Sequence, residues 1–453
     1  MTTIGFIALG IFVVTYALML IFQDYRPWFA VGAAVLFLGL GLIEPLNFDF
    51  TFVKAAGKID WNVLLMIAGT MGTVQLFIES KMPNRMSDLI IRRMPSVQWL
   101  VVALSLFAGI VSAFVDNVAT VLMIAPVALA MCKKLNISPV PAIICIAISA
   151  NLQGAATLVG DTTSILLAKE AGLDFLDFFV DSGHMGMFWV VQAGALLSGA
   201  VIWFMFRKEK QQVHTEDITE VTDKVPGLML LLTVLTLIAA SFIPYKADAA
   251  PGQFYKPDVT NGLICVFYFL VTLVYEIRRT GNRNLAKQSL KEIDFFTLAL
   301  LTGLFIVIGA IDEAGVIRQI GTVISGLGGN GSRGSIFLIY TIIVWMSVIL
   351  SAFIDNIPYT LTMLPVVTAV AASLNAAGGV QVDPKLFYYG LLCGATLGGT
   401  LTPIGASANI AGIGILRKDG WEVRTRTFMR YSVPFTLIAV TSGYVLLWLI
   451  WAP

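Results

Sequence analysis

Charged residues are scarce in this chain of 453 residues: Asp, Glu, Lys and Arg together make up 13%. A soluble domain carries about twice that share, so water is not the main solvent. The longest polar segment, residues 207–224, is too short to bury a core, which excludes a soluble domain of useful size. Histidine occurs only twice, as His184 and His214, both in polar joints. That argues against a His-built metal centre. The four cysteines (Cys132, Cys145, Cys265, Cys393) stand singly in apolar stretches, without the paired spacing of a zinc or redox site. They read as small buried apolar residues. A net charge of +1, with no basic helix or aromatic platform, leaves no footprint for nucleic acid. The N-terminal Met1-Thr2-Thr3 lacks a basic region and no small-x-small cleavage site follows Phe22. Residues 4–22 therefore read as a retained membrane helix rather than a signal peptide.

What the chain has instead is apolar sequence, 57% of it. It is arranged in stretches of about 18–22 residues, the length that crosses ~30 Å of hydrocarbon. Ten stretches are expected to span: 4–22, 27–43, 61–79, 137–169, 185–206, 226–243, 260–277, 295–312, 386–416 and 431–450. Two further apolar pairs, 98–115 with 118–132 and 335–354 with 357–372, each go in and come back. The short second arm and its proline favour re-entrant hairpins over two full crossings. With both termini outside, the inner joints hold 21 of the 29 basic residues. The outer joints hold Lys54, Lys58, Lys169, Lys246, Lys256, Arg318, Arg333 and Lys385. Because basic residues concentrate on the cytoplasmic side, the chain is expected to sit in the inner membrane in that orientation.

The two halves repeat. Ile59-Asp60-Trp61 matches Ile293-Asp294-Phe295, and Ser112-Ala-Phe-Val-Asp116-Asn117 matches Ser351-Ala-Phe-Ile-Asp355-Asn356. Nine residues beyond each Asn comes a proline, Pro126 and Pro365. Asn151 through Gly160 and Ser164 match Thr396 through Gly405 and Asn409. The offset between matched blocks drifts only from 234 to 239 to 245. The helix at 61 starts outside and its match at 295 starts inside, so the repeats, 1–206 and 225–453 joined by the linker 207–224, are inverted. Such repeats place a site near the bilayer midplane where broken elements meet.

Asp116 and Asp355 lie in otherwise apolar sequence, where a carboxylate costs several kcal/mol unless paired, hydrated or protonated. The same residues also suit capping of the helices that follow, and capping and ion binding can coexist at one helix N-terminus. The second constellation runs from Asn151 through Thr157 and Asp161 to Ser164, answered by Thr400, Thr402, Ser407 and Asn409. Glycines, a proline and hydroxyls in mid-span break a helix, and unwound backbone at that depth is tolerated only in protein or at a cavity. Small residues for close helix packing are the plainer account of the same pattern. No Lys or Arg stands in either tip or either broken segment. Three carboxylates without a base suit a cation, a proton or a neutral hydroxylated solute better than a multiply charged anion. The site set is therefore Asp116, Asn117, Asn151, Thr157, Asp161, Ser164, Asp355, Asn356, Thr400, Thr402, Ser407 and Asn409. Asp116, Asn117, Asp355 and Asn356 are the set for a bound Na⁺, and no other cofactor is expected.

These motifs resemble those of the ion transporter superfamily, in the branch of arsenite permeases, NhaD-type sodium/proton antiporters and the melanosomal P-protein. The resemblance covers nearly the whole chain and is most specific in Ser112–Asn117, Ser351–Pro358 and Leu401–Asn409. Members of the dicarboxylate branch carry Ser-Asn-Thr at the tips, where this chain has Asp116-Asn117-Val118 and Asp355-Asn356-Ile357. The resemblance implies an all-α polytopic fold with two re-entrant hairpins and two broken helices in a mobile transport domain. It also implies a scaffold that dimerises, in contact with membrane lipid, and an elevator-like motion. The expected function is secondary active transport of a small inorganic ion or solute coupled to H⁺ or Na⁺, not enzymatic chemistry. A citrate-, dicarboxylate- or sulfate-type symporter and a passive channel are the alternatives. An intramembrane aspartyl protease is the most distant one, since Val159-Gly160-Asp161 lacks the first glycine of that family's Gly-x-Gly-Asp pattern.

Overall fold

A computed structural model describes residues 2–43, 46, 48–213, 219–246, 253–282, 284–326, 332–376 and 378–453. Part of the linker, with His214, lies outside the described residues. The first half contains α1 (Thr3–Ile21), α2 (Arg26–Leu40), α3 (Phe52–Lys58), α4 (Trp61–Glu79), α5 (Met82–Ile91), α6 (Val97–Ser112), α7 (Asn117–Lys134), α8 (Val140–Gly154), α9 (Thr162–Ala171) and α10 (Met187–Met205). The second repeats the order with α11 (Val225–Ala240), α12 (Thr260–Thr280), α13 (Leu285–Glu292), α14 (Phe295–Glu313), α15 (Val316–Gly326), α16 (Arg333–Ser351), α17 (Asn356–Ala376), α18 (Pro384–Gly398), α19 (Ser407–Lys418) and α20 (Thr425–Trp451). A two-stranded hairpin, β1 (Val180–Asp181) and β2 (His184–Met185), is the sheet among the described residues. Nine of the described helices are long and apolar enough to cross a bilayer, making this a multi-pass membrane protein.

The repeat seen in sequence is the repeat of the fold. Asp60 and Asp294, at the matched Ile-Asp-aromatic blocks, are N-caps: Asp60 Oδ1 accepts from the Val63 amide and Asp294 Oδ1 from the Thr297 amide, each at 2.9 Å. The stretches 137–169 and 386–416 are each broken in the middle, at 155–161 and 399–406. The second hairpin arms are longer than expected, beginning at the Asn of each motif and running through Pro126 and Pro365 to Lys134 and Ala376. Four short helices, α3, α5, α13 and α15, occupy segments that apolar length alone assigned to joints. All four are too short to span, and α5, α13 and α15 carry their apolar residues on one face, the pattern of a helix lying along an interface.

Two kinds of packing organise the bundle. α8 and α18 are buried all round, from Ala142 to Gly154 and from Leu386 to Gly398, as expected for uniformly apolar helices at a centre. α6, α7, α10, α19 and α20 surround α8, and α9, α16, α17 and α20 surround α18. At the periphery the halves exchange partners, α4 lying along α12 and α2 along α14. Gly69 permits the first crossing, because a Cβ there would stand 2.5 Å from the Cys265–Val266 backbone. Gly303 permits the second, 2.7 Å from the backbone of Ala30. Small residues at the contact are what let membrane helices approach this closely. The four cysteines are buried and unpaired.

Candidate functional site

Each hairpin turns at its motif, and the aspartate caps the returning helix. Asp116 Oδ1 accepts from the Val118 and Ala119 amides at 3.0 and 3.1 Å, and Asp355 Oδ1 accepts from the Ile357 amide at 3.3 Å. Each tip is seated on the break of its own half. The Thr157 hydroxyl donates to the Ala113 carbonyl, and the Thr402 hydroxyl donates to the Ala352 carbonyl. Gly160 and Gly405 complete both seats. A Cβ on Gly160 would lie 2.6 Å from the Gly154 carbonyl and 2.9 Å from those of Ala113 and Ser112, and Gly405 repeats the arrangement with Gly399, Ala352 and Ser351.

The tips and breaks of the two halves meet through one polar network. Asn117 Nδ2 donates to Asn151 Oδ1 (3.0 Å), and Asn151 Nδ2 donates to the Thr396 carbonyl (2.7 Å). The hydroxyls of Thr163 and Thr396 are 2.9 Å apart, and Thr163 Oγ1 donates to Asp161 Oδ2 at 2.8 Å. Asn356 Nδ2, from the other tip, points to the same Asp161 oxygen at 3.3 Å. A side chain that satisfies a neighbour's polar atom in the interior avoids a cost of about 1–3 kcal/mol per orphaned group. The network thus ties four interrupted elements into one geometry.

Beside this network lies a cavity of about 350 Å³. Asp116, Asn117, Asp161, Asn356 and Ser407 line it from the tips and breaks, and Glu292 at the end of α13 with Asp294 and Thr297 at the start of α14 face them. Four carboxylates and no basic side chain therefore share one chamber. A second cavity, of about 680 Å³, occupies the repeat-related place: Lys58, Asp60, Phe305, Ile308, Gly309 and Asp312 stand where the first has Glu292, Asp294, Met71, Val74, Gln75 and Ile78, at the constant offset of 234. It contains neither tip motif and carries Lys58, Lys169 and Arg318. Lys169 pairs with Asp60 (3.1 Å) and Lys58 with Asp312 (3.6 Å). The tip network therefore opens to one side of the bundle.

The remaining sequence candidates brace the backbone behind the chamber. Thr400 bonds the Leu397 carbonyl and Thr436 Oγ1, each at 2.6 Å. Asn409 Nδ2 spans the break to the Gly399 and Thr402 carbonyls at 3.0 and 2.9 Å, and Ser164 Oγ reaches the Gly154 carbonyl at 3.3 Å. Of the set for Na⁺, Asp116, Asn117 and Asn356 line the chamber together. Asp355 is instead held by Arg26, its Oδ2 3.0 Å from Nη1, with Ser407 Oγ at 3.3 Å. The tips and breaks carry no basic residue, yet α2 brings one to them. Arg26, Thr163, Thr396, Glu292 and Asp294 were not among the sequence candidates. The matched pair Asn151/Thr396 pointed to one of them, and the Asp60/Asp294 block to another.

A family model described as "CitMHS: Citrate transporter" matches residues 16–392. "Uncharacterized transporter Rv2684" of Mycobacterium tuberculosis is 30% identical over 454 residues, covering 98% of each chain. The human P protein is 25% identical over 451 residues, covering 85% of this chain and 53% of its own. Among solved structures, the YdaH transporter of Alcanivorax borkumensis superposes with a TM-score of 0.57 at 15% identity, covering 95% of this chain and 98% of that one. The MtrF antimetabolite efflux pump of Neisseria gonorrhoeae gives 0.54 at 14% identity, covering 91% and 83%. Both are likenesses of fold. With its repeated hairpins, its broken helices and this match over most of its length, the chain belongs to the CitMHS citrate transporter family of membrane transporters.

Proposed function

We propose that this transporter is secondary active and couples the movement of a small inorganic ion or solute to H⁺ or Na⁺, as in sodium/proton antiport or arsenite-type permeation. The observation that carries this reading is the chamber in which Asp116, Asp161, Glu292 and Asp294 converge without a basic residue. Carboxylates at such depth require a proton or a cation. Na⁺ enters between Asp116, Asn117 and Asn356, with Asp355 of the same tip as its fourth ligand, and releases a proton from the carboxylates; its departure lets the proton return. The hairpins and broken helices form the moving body and the remaining helices the scaffold, in which α10 packs on α8 and α20 on α18. The two repeat-related cavities are the access routes from the two sides, the acidic one cytoplasmic by the charge bias. The scaffold joins two copies, which the mass of the detergent-solubilised particle measures.

The test uses proteoliposomes with a trapped pH-sensitive dye and an imposed proton gradient. Na⁺- or Li⁺-driven dequenching that disappears in Asp116→Asn is the expected result. Silence to cations with a response to citrate favours the second reading, an anion symporter, which the family description supports. A response to arsenite with no cation response places the chain with arsenite permeases.

A further inference from the structure

We infer that Arg26 is a tethered counter-ion for Asp355, which the coupling cation must replace before the second hairpin can leave its present position; this rests on the cation-coupled reading above. Arg26 begins α2, and its guanidinium is held at both ends. Nε donates to the Met19 carbonyl in the last turn of α1 at 3.2 Å, and Nη1 meets Asp355 Oδ2 at 3.0 Å. The uncapped carbonyls at a helix C-terminus carry partial negative charge, so the cation is fixed there even without Asp355. The two side chains are only 11% and 13% exposed. A buried ion pair of this kind is costly to break from one side, because it leaves the other charge unpaired. α1 grips the hairpin a second time, since Tyr16 donates to the Pro358 carbonyl at 3.0 Å and also meets the Thr362 hydroxyl.

The repeat places no arginine at the matched position of the other half. Gly303 crosses α2 at Ala30–Val31, and Gly69 crosses α12 at Cys265–Val266, which aligns the two helices. Four residues before Ala30 stands Arg26; four residues before Cys265 stands Asn261. Asn261 bonds Tyr245 Oη at 3.2 Å and Asp174 Oδ1 at 3.4 Å and brings no charge. If the hairpins move against the scaffold, Asp355 leaves Arg26 for a cavity whose repeat-matched base, Lys58, is already paired with Asp312 at 3.6 Å, and whose Lys169 is paired with Asp60 at 3.1 Å. Arg26 is the ion-pair partner of Asp355, and across Asn356 lies another carboxylate, Asp161, so departure without a replacement leaves Asp355 unpaired beside a like charge. A bound Na⁺ or H⁺ removes that penalty. The ion pair therefore enforces coupling, because an empty carrier stays bound to Arg26.

The test compares wild type, R26Q, R26K and the R26Q/D355N double variant in full-length protein, by dye dequenching over a Na⁺ titration. Removing the internal competitor is expected to lower the half-saturating Na⁺ by about tenfold in R26Q and to uncouple part of the proton flux from Na⁺. R26K keeps the charge but loses the Nε anchor, and shifts the half-saturation two- to threefold. R26Q/D355N is expected to melt near the wild-type temperature yet carry no coupled flux. Wild-type half-saturation in R26Q overturns the inference, as does wild-type flux in the double variant, which would reduce the pair to a structural tie. Should R26Q not fold, an unshifted R26K overturns it equally. A wild type silent to Na⁺, Li⁺ and pH gradients removes the cation-coupled reading and this inference together, whereas a responsive wild type with an unchanged R26Q removes the inference alone.

Discussion

Replacing Gly160 by Ala adds one methyl group at the point where tip and break touch. The added carbon would stand 2.6 Å from the Gly154 carbonyl oxygen and 2.9 Å from the carbonyl oxygens of Ala113 and Ser112. All three are backbone atoms, so no rotamer change relieves the clash. Reaching ordinary contact at 3.4 Å requires about 0.5 Å of opening between break and tip, and about 0.8 Å from the Gly154 carbonyl within the break. Overpacking of a well-filled interior costs about 1–3 kcal/mol. The displacement also falls on Asp161, the next residue, and on the tip that carries Asp116. A shift of about 0.5–0.8 Å in a binding constellation is expected to reduce coupled flux roughly tenfold. Gly405→Ala meets the matching three carbonyls and should behave alike, while Gly10→Ala and Gly414→Ala, with nothing within 4 Å, serve as controls. In those helices alanine gains about 0.5–1 kcal/mol over glycine. The assay pairs thermal unfolding in detergent with proteoliposome flux for all four variants. A Gly160→Ala protein with wild-type flux and melting temperature refutes the seat described here.

Three further outcomes are expected. Asp161→Ala installs the residue that the second half carries at the matched position, Ala406, and removes the acceptor shared by Thr163 and Asn356. It should fold but lose cation-coupled flux, and retained coupling would move the cation to Asp116 alone. Asn151→Ala strands Asn117 and the Thr396 carbonyl in the interior, so unfolding free energy should fall by about 1–3 kcal/mol, which denaturant titration measures. Lys256 Nζ lies 2.6 Å from Asp174 Oδ2 and 2.9 Å from the Ala240 carbonyl, and is 2% exposed. Lys256→Met leaves Asp174 buried without its cation and should cost about 3–5 kcal/mol, seen as a lower melting temperature; no change would show the pair to be solvated.

The fold was largely legible because a bilayer imposes one length and one composition on every span, and because the chain writes its plan twice. The breaks at 155–161 and 399–406 were visible as glycine and hydroxyl runs, and the tips as aspartates in apolar sequence. Harder to see were the short helices, since apolar length carries no mark for α3 or α13. The network was half legible. Asn117, Asn151 and Asp161 lie inside the motifs, but Thr163 and Thr396 gain their role from a contact 233 residues apart in sequence. In sequence Arg26 is one of the 21 basic residues of the inner joints and no more, because topology counting treats each basic residue alone. Only the fold brings it 329 residues along the chain to Asp355. Thr157 and Thr402 show the converse. Their hydroxyls look ready for a solute in sequence, whereas each is spent on the backbone of a tip.

The exchange of partners at the periphery also bears on how the protein is made. α2 finds its neighbour in α14, and the close crossing at Ala30 is completed only when Gly303 has been synthesised. Translation proceeds at about 5–20 residues per second, so α2 waits in the bilayer for tens of seconds. Neither half is a finished folding unit on the ribosome; the first holds an unfilled groove along α2, and α4 stays uncovered until α12 arrives. Separately expressed halves should accordingly be cleared when alone and persist when produced together.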